Sequence, residues 1–271
     1  MRYAVRPLAA VAATMLALTL AGCGSGDESP RGGGSSPNSS SSGSGELKGD
    51  LTVFAAASLK KTFTQIGTQF EKDHPGVQLS YNFAGSSDLV AQIQHGAPAD
   101  VFASADEKNM TKATDDSLTA GDPVKFASNT LEIAVPPSNP AKIASLQELA
   151  KPGVKVVVCA PEVPCGSATT KVESAAKLDL RPVSDEQNVT DVLGKVIAGE
   201  ADAGLVYVTD VKGASDKVEG IEFPESSAAV NVYPIATLKE ARNKALADAF
   251  VEAVTSEAGQ SVLAAAGFKQ P

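Results

Sequence analysis

Four places in this chain set small polar residues where an apolar run gives way to a helical pattern, and that repeated junction is the feature best suited to chemistry. In Val53-Phe54-Ala55-Ala56-Ala57-Ser58-Leu59 the run stops at small residues. Leu59, Phe63, Ile66 and Phe70 then recur at helical spacing until His74-Pro75-Gly76. Ser58 therefore falls near a helix N-cap. A serine there can satisfy its own helix's orphan N–H groups, or it can turn its hydroxyl and the adjoining amides toward a bound anion. The device returns at Ala84-Gly85-Ser86-Ser87-Asp88, at Cys165-Gly166-Ser167 and at Asn188-Val189-Thr190-Asp191. Each helix N-terminus carries roughly half a positive charge plus unpaired N–H donors, so several on one pocket would hold a doubly charged oxyanion without Lys or Arg.

Other chemistries have less to stand on. A secreted hydrolase needs a nucleophile and a base, yet there is no Gly-x-Ser-x-Gly elbow, and the two histidines sit in polar or turn contexts. His74 and His95 read as exposed residues at helix C-termini, where they favour the dipole. Asp100 and Asp106 resemble a carboxylate pair, but no catalytic partner or metal-binding set accompanies them, and they read as turn and cap residues. Tyr207, near the end of an apolar run, reads by itself as a strand tyrosine with its ring in the core and its hydroxyl at the edge. The formal charge of -9 argues against nucleic acid, which calls for a basic face. Capture of an organic acid usually uses an Arg to grip the carboxylate, and the strand ends offer none.

The elements that must position these residues alternate. Strand patterns at 77–83, 131–135, 154–158, 201–208 and 229–236, with a short buried strand within 96–106, are separated by helical patterns after Ser86, Asp106, Ser167 and Asn188, with a short helix at 146–150. Two helices, 240–255 and 256–266, close the chain. Alternation of this kind implies an α/β fold with parallel sheets, in which ligands bind beyond the carboxyl ends of the strands, where helix N-termini point. The four marked junctions converge if two such sheets face each other across a cleft. Cys159 and Cys165, with five residues between them, suit a short disulfide loop in an exported protein; a metal pair is the alternative, though neither histidine lies near them in sequence.

Export is written at the N-terminus. Met1-Arg2-Tyr3-Ala4-Val5-Arg6 is a basic start, and the apolar stretch from Leu8 to Leu20 is too short to span a bilayer, so residues 1–22 read as a signal peptide. It ends in Leu20-Ala21-Gly22-Cys23, which resembles the lipobox of bacterial lipoproteins and makes Cys23 the expected lipidation site. Residues 23–45 are then the lipid anchor and a flexible Gly/Ser tether, since almost nothing in them could form a core. From Glu46 to Pro271 enough chain remains for one large lobe or two modest ones.

Several motifs together resemble, in the right order, the periplasmic molybdate-binding proteins of ABC importers. They are the run ending in Ser58-Leu59, Phe83-Ala84-Gly85-Ser86-Ser87, the stretch from Gly96 to Asp106, Val163-Pro164-Cys165-Gly166, Asn188-Val189, Gly204-Leu205-Val206-Tyr207 and Val232-Tyr233-Pro234-Ile235-Ala236. Gly259-Gln260-Ser261-Val262-Leu263 and Gly267-Phe268 extend the likeness, which covers Leu51 to Phe268. It implies a two-lobed periplasmic-binding-protein fold of type II, each lobe a mainly parallel sheet flanked by helices, with a two-strand hinge near Thr130 and Tyr233. The expected lobes are 46–127 with 233–271, and 128–232. It further implies a monomeric, non-enzymatic protein without a cofactor, lipid-anchored to the outer face of the cytoplasmic membrane, that gives molybdate or tungstate to a permease. Carried over position by position, Ser58 and Ser86 become hydroxyl and amide donors, Cys165 and Val189 main-chain N–H donors, and Tyr207 a hydroxyl donor. The alternative within this class is another tetrahedral oxyanion such as sulfate.

Overall fold

The structure, a computed structural model, describes residues 46–271; the expected signal peptide 1–22, the tether 23–45 and Cys23 lie outside the described residues. Two five-stranded sheets carry the fold. The first is built from β1 (Lys48–Ala56), β2 (Gly76–Ala84), β3 (Val101–Ala103), β4 (Val124–Asn129) and β10 (Asn231–Thr237), in the order β2-β1-β3-β10-β4. The second is built from β5 (Leu131–Val135), β6 (Val156–Cys159), β7 (Ser184–Glu186), β8 (Ala203–Tyr207) and β9 (Glu219–Ile221), in the order β7-β6-β8-β5-β9. In each sheet one strand runs against the rest: β10 is antiparallel to both β3 and β4, and β5 to both β8 and β9. Both sheets are otherwise parallel, as the alternating pattern requires.

The periodicities explain the layers. Along β1, Leu51, Val53 and Ala55 point to one face, where they pack with Phe63, Ile66 and Phe70 of α1 (Lys60–Asp73) and with Leu246 and Phe250 of α7 (Lys244–Thr255). Phe54 points to the other face, against Leu89, Val90 and Ile93 of α2 (Ser86–Gln94) and Met110 of α3 (Glu107–Asp115). This is the two-residue alternation of a strand buried on both sides. In the second sheet Val156, Val157, Leu205 and Ile133 form a core with Ala168 and Val172 of α4 (Pro164–Ala176) and with Val192 and Val196 of α5 (Val189–Ile197). The remaining helices are α6 (Val208–Ala214) and α8 (Glu257–Ala266).

The sheets are joined twice. β4 runs into β5 with only Thr130 between them, and the chain returns at β10, whose Asn231 pairs with Asn129. Behind these crossings lies an aromatic stack: Tyr233 stands edge-on to Tyr207 at 6.1 Å between ring centroids and to Phe268 at 5.3 Å.

Several expectations need correction. β4, β7, β9 and α6 carry no strong periodic signal and are additions to the sequence reading. His74 caps the C-terminus of α1 as expected but is half-buried, its ring 4.6 Å from that of Phe70. Asp106 is indeed a cap, accepting the Asn109 N–H at 2.8 Å. Asp100 does more than turn the chain: it is buried, and it accepts the Thr52 N–H (2.7 Å), the Arg242 N–H (2.8 Å) and the Arg242 guanidinium (3.0 Å). Burial alone would raise its pKa, but these bonds outweigh that and hold the carboxyl below its usual range.

Candidate functional site

Each marked junction sits at the carboxyl end of a strand, so the fold turns four helix starts toward the gap between the sheets. After β1 the chain makes a short 3-10 turn, Ala57–Leu59, before α1 begins. Ser58 lies within that turn. The N-cap of α1 is Leu59, and Ser58 makes no capping bond; its Oγ is 3.1 Å from the Tyr233 hydroxyl instead. Ser86 opens α2 behind Gly85 and is 1% exposed. Its Oγ accepts the Ala105 N–H at 3.0 Å, a bond that leaves its own proton to be donated elsewhere.

In the second half, α4 begins earlier than the sequence suggests, at Pro164 rather than Ala168. Proline suits that first position, because its fixed φ is helical and its missing N–H would have had no partner. Cys165 thus belongs to the first turn, where the intrahelical ladder supplies its N–H with no acceptor. A disulfide joins Cys165 to Cys159 at the end of β6, which settles the disulfide-or-metal alternative for this pair. Val189 opens α5, and its neighbour Asn188 is the N-cap, accepting the Asp191 N–H at 3.1 Å. Tyr207 ends β8, with its N–H donated to Asp210 at 3.0 Å and its hydroxyl oxygen 3.1 Å from the side-chain amide of Asn231.

All five residues expected to hold the ligand line one cavity: Ser58, Ser86, Cys165, Val189 and Tyr207. It is a narrow crevice: the space between its atoms, open solvent at the mouth included, is about 200 Å³, against 710 to 1010 Å³ for the other hollows among the described residues. No charged side chain is among its lining residues. Burial, reinforced by Tyr233, Asp106 and Asp210, pushes the Tyr207 phenol far above its ordinary pKa, so it stays protonated and able to donate. The arrangement offers hydroxyl and amide protons to whatever fills the cavity, and positive charge only through helix ends.

Further residues contribute beyond those expected from sequence. Gly85 and Val163 come from opposite halves and approach closely at the cavity: a Cβ placed on Gly85 would sit 2.1 Å from the Gln187 carbonyl oxygen. Asn231 and Tyr233 stand behind the cavity and touch its hydroxyls. Tyr233 belongs to a motif of the resemblance and Asn231 lies just before it, but the sequence pattern assigns both only to an extended segment. Asp210, beside Tyr207, is raised from 3.8 to about 7, chiefly by burial and partly countered by the Tyr207 N–H.

The chain matches known proteins over nearly its whole length. A model of the family described as bacterial extracellular solute-binding protein matches residues 51–269. A molybdate-binding protein, ModA, of Mycobacterium tuberculosis H37Rv is 49% identical over 257 residues, covering 95% of both chains. A molybdate-binding protein ModA of Escherichia coli K12 is 32% identical over 231 residues, covering 82% of this chain and 89% of the other. Among solved structures, the periplasmic molybdate-binding protein of Azotobacter vinelandii superposes with a TM-score of 0.72 at 24% identity, covering 82% of this chain and 99% of that one.

Proposed function

This chain belongs to the bacterial extracellular solute-binding proteins, among the molybdate-binding proteins of ABC importers, and we propose that it captures molybdate outside the cytoplasmic membrane and delivers it to a permease. It is a transport component and not an enzyme. What carries the reading is the meeting of Ser58, Ser86, Cys165, Val189 and Tyr207 on one small cavity lined by no charged side chain. Hydroxyls of Ser58, Ser86 and Tyr207 and amides of Cys165 and Val189 donate to the four oxygens. Tungstate, close in size and equally free of protons, binds the same way.

Selectivity follows from the donor set. A cavity made only of donors leaves the O–H of hydrogen phosphate without an acceptor, at a cost of about 1–3 kcal/mol. Sulfate passes that test and is disfavoured by size, because its shorter bonds leave several donors beyond good hydrogen-bond distance. The lobes are 46–127 with 233–271, and 128–232, closing on the ligand about the two crossings. Cys23 carries the lipid that holds the monomeric protein at the outer face of the membrane through the tether.

A thermal-shift screen of residues 46–271 against molybdate, tungstate, sulfate, phosphate and citrate tests the function. At a thousandfold excess over Kd a ligand adds about 4 kcal/mol, which is roughly 8–16 °C for a domain of this size. Shifts of that order with molybdate and tungstate, and small ones with the rest, are expected. A larger shift with sulfate than with molybdate refutes the reading.

A further inference from the structure

A hydroxyl can donate or accept, so a donor-only cavity needs something that fixes the sense of each one. Tyr207 is the hydroxyl whose sense the geometry decides most firmly. The side-chain nitrogen of Asn231 lies 2.8 Å from the Ala105 carbonyl oxygen, 3.4 Å from that of Pro164 and 3.1 Å from the Tyr207 hydroxyl oxygen. Carbonyl oxygens only accept, so the atom facing them is the NH2 and not the amide oxygen. The same NH2 faces Tyr207, whose oxygen must therefore accept. Its proton can then go only forward, to the cavity that Tyr207 lines and Asn231 itself does not, or to the Tyr233 hydroxyl beside it. Ala105, held at its carbonyl by Asn231, uses its own N–H to fill one lone pair of Ser86 Oγ (3.0 Å), which leaves the proton of that hydroxyl uncommitted.

We propose that Asn231 is the positioning residue that fixes the donor sense of the cavity, holding Tyr207 and, through Ala105, Ser86 with their protons toward the ligand, and so sets the preference for a fully deprotonated oxyanion. The inference rests on the molybdate reading and deepens it. Asn231 is buried, it stands on the strand that returns from the second sheet to the first, and its three acceptors come from both halves of the molecule. One amide thereby ties the polarity of the site to the apposition of the sheets.

The test is a double-mutant cycle in molybdate affinity with Asn231→Ala and Tyr207→Phe. If Asn231 acts through the Tyr207 hydroxyl, Asn231→Ala weakens binding by about tenfold in the wild-type background, the equivalent of one polar contact, and by about twofold or less once that hydroxyl is gone. Equal losses in both backgrounds, or no loss in either, overturn the proposal. Asn231→Asp gives a second readout that does not depend on the alanine variant folding. A carboxylate can accept the Tyr207 proton, turning a lone pair toward the ligand, while at pH 8 its charge repels molybdate and hydrogen phosphate alike. The ratio of molybdate to hydrogen phosphate affinity should then fall by about tenfold or more. An unchanged ratio overturns the proposal. Wild-type protein that binds no tetrahedral dianion refutes the functional reading; wild-type binding with an uncoupled cycle refutes only the role of Asn231.

Discussion

Gly85→Ala isolates the apposition of the two halves at the cavity, because it adds one carbon where they touch. The Gly85 backbone, φ -62° and ψ 139°, is open to alanine, so the change introduces no torsional strain. The added Cβ would lie 2.1 Å from the Gln187 carbonyl oxygen. Ordinary carbon–oxygen contact is about 3.3 Å, so Gln187 must retreat by about 1.2 Å. Val189 follows Gln187 by two residues and moves with it. A hydrogen bond of about 2.9 Å stretched by that amount no longer counts as one. With Val189 and one further donor of the second half lost, at about 1.5–3 kcal/mol each for bonds to a charged group, affinity for molybdate falls by roughly two to four powers of ten. Stability without ligand changes little. Alanine is a poorer N-cap than glycine by about 1 kcal/mol or less, which is roughly 2–4 °C. Titration calorimetry with molybdate and melting of the ligand-free protein read the two effects separately. Affinity within about threefold of wild type would refute the reasoning, since Gln187 would have yielded without moving Val189. A ligand-free melting temperature lowered by more than about 5 °C would show that Gly85 serves the fold instead.

Other variants probe the remaining parts. Ser86→Ala and Tyr207→Phe each remove one hydroxyl donor and should weaken molybdate binding by about 1.5–3 kcal/mol in calorimetry, with the ligand-free fold intact by circular dichroism; unchanged affinity removes that residue from the site. Replacing Cys159 and Cys165 together by serine opens a short loop and should lower the ligand-free melting temperature by about 4–8 °C, from about 2 kcal/mol of lost chain restriction. Asp210 has a folded pKa of about 7 against 3.8 unperturbed, and burial with Glu222 nearby raises Glu132 to about 7 as well. For carboxyls raised in this way the stabilisation is complete below the unfolded pKa and is lost as pH climbs through 7. The ligand-free protein should therefore melt lower at pH 8 than at pH 6. Asp210→Asn, whose amide oxygen still accepts the Tyr207 N–H, should raise the melting temperature at pH 8 and flatten that slope; a slope identical to wild type would exclude Asp210 as its source.

How much of this was legible depended on how local each feature is. Strand β1, helix α1, the α5 stripe of Val192 and Val196 and the helix starts at Ser86 and Val189 follow from period and cap residues within a dozen positions. β7 and β9 did not, because both are sheet-edge strands of only three residues, too short for any apolar alternation to betray them. β4 lies at an edge too, and α6 follows β8 so directly that its first valine reads as more strand. At Ser58 the local rule named a cap, yet the hydroxyl reaches Tyr233, 175 positions away.

The sequence alone therefore determined the α/β alternation, the supply of neutral donors at four helix starts and the cysteine pair, since each is a property of neighbouring residues. Only the tertiary structure decided that those donors share one cavity, that Gly85 meets Gln187 there, and that Asn231 stands behind Tyr207. Asn231 meets Ala105, Pro164 and Tyr207 across 126, 67 and 24 positions of chain. Contacts over such separations exist only once two sheets have packed and the crossings between them have fixed how they face each other, and no local pattern of residue types records that geometry.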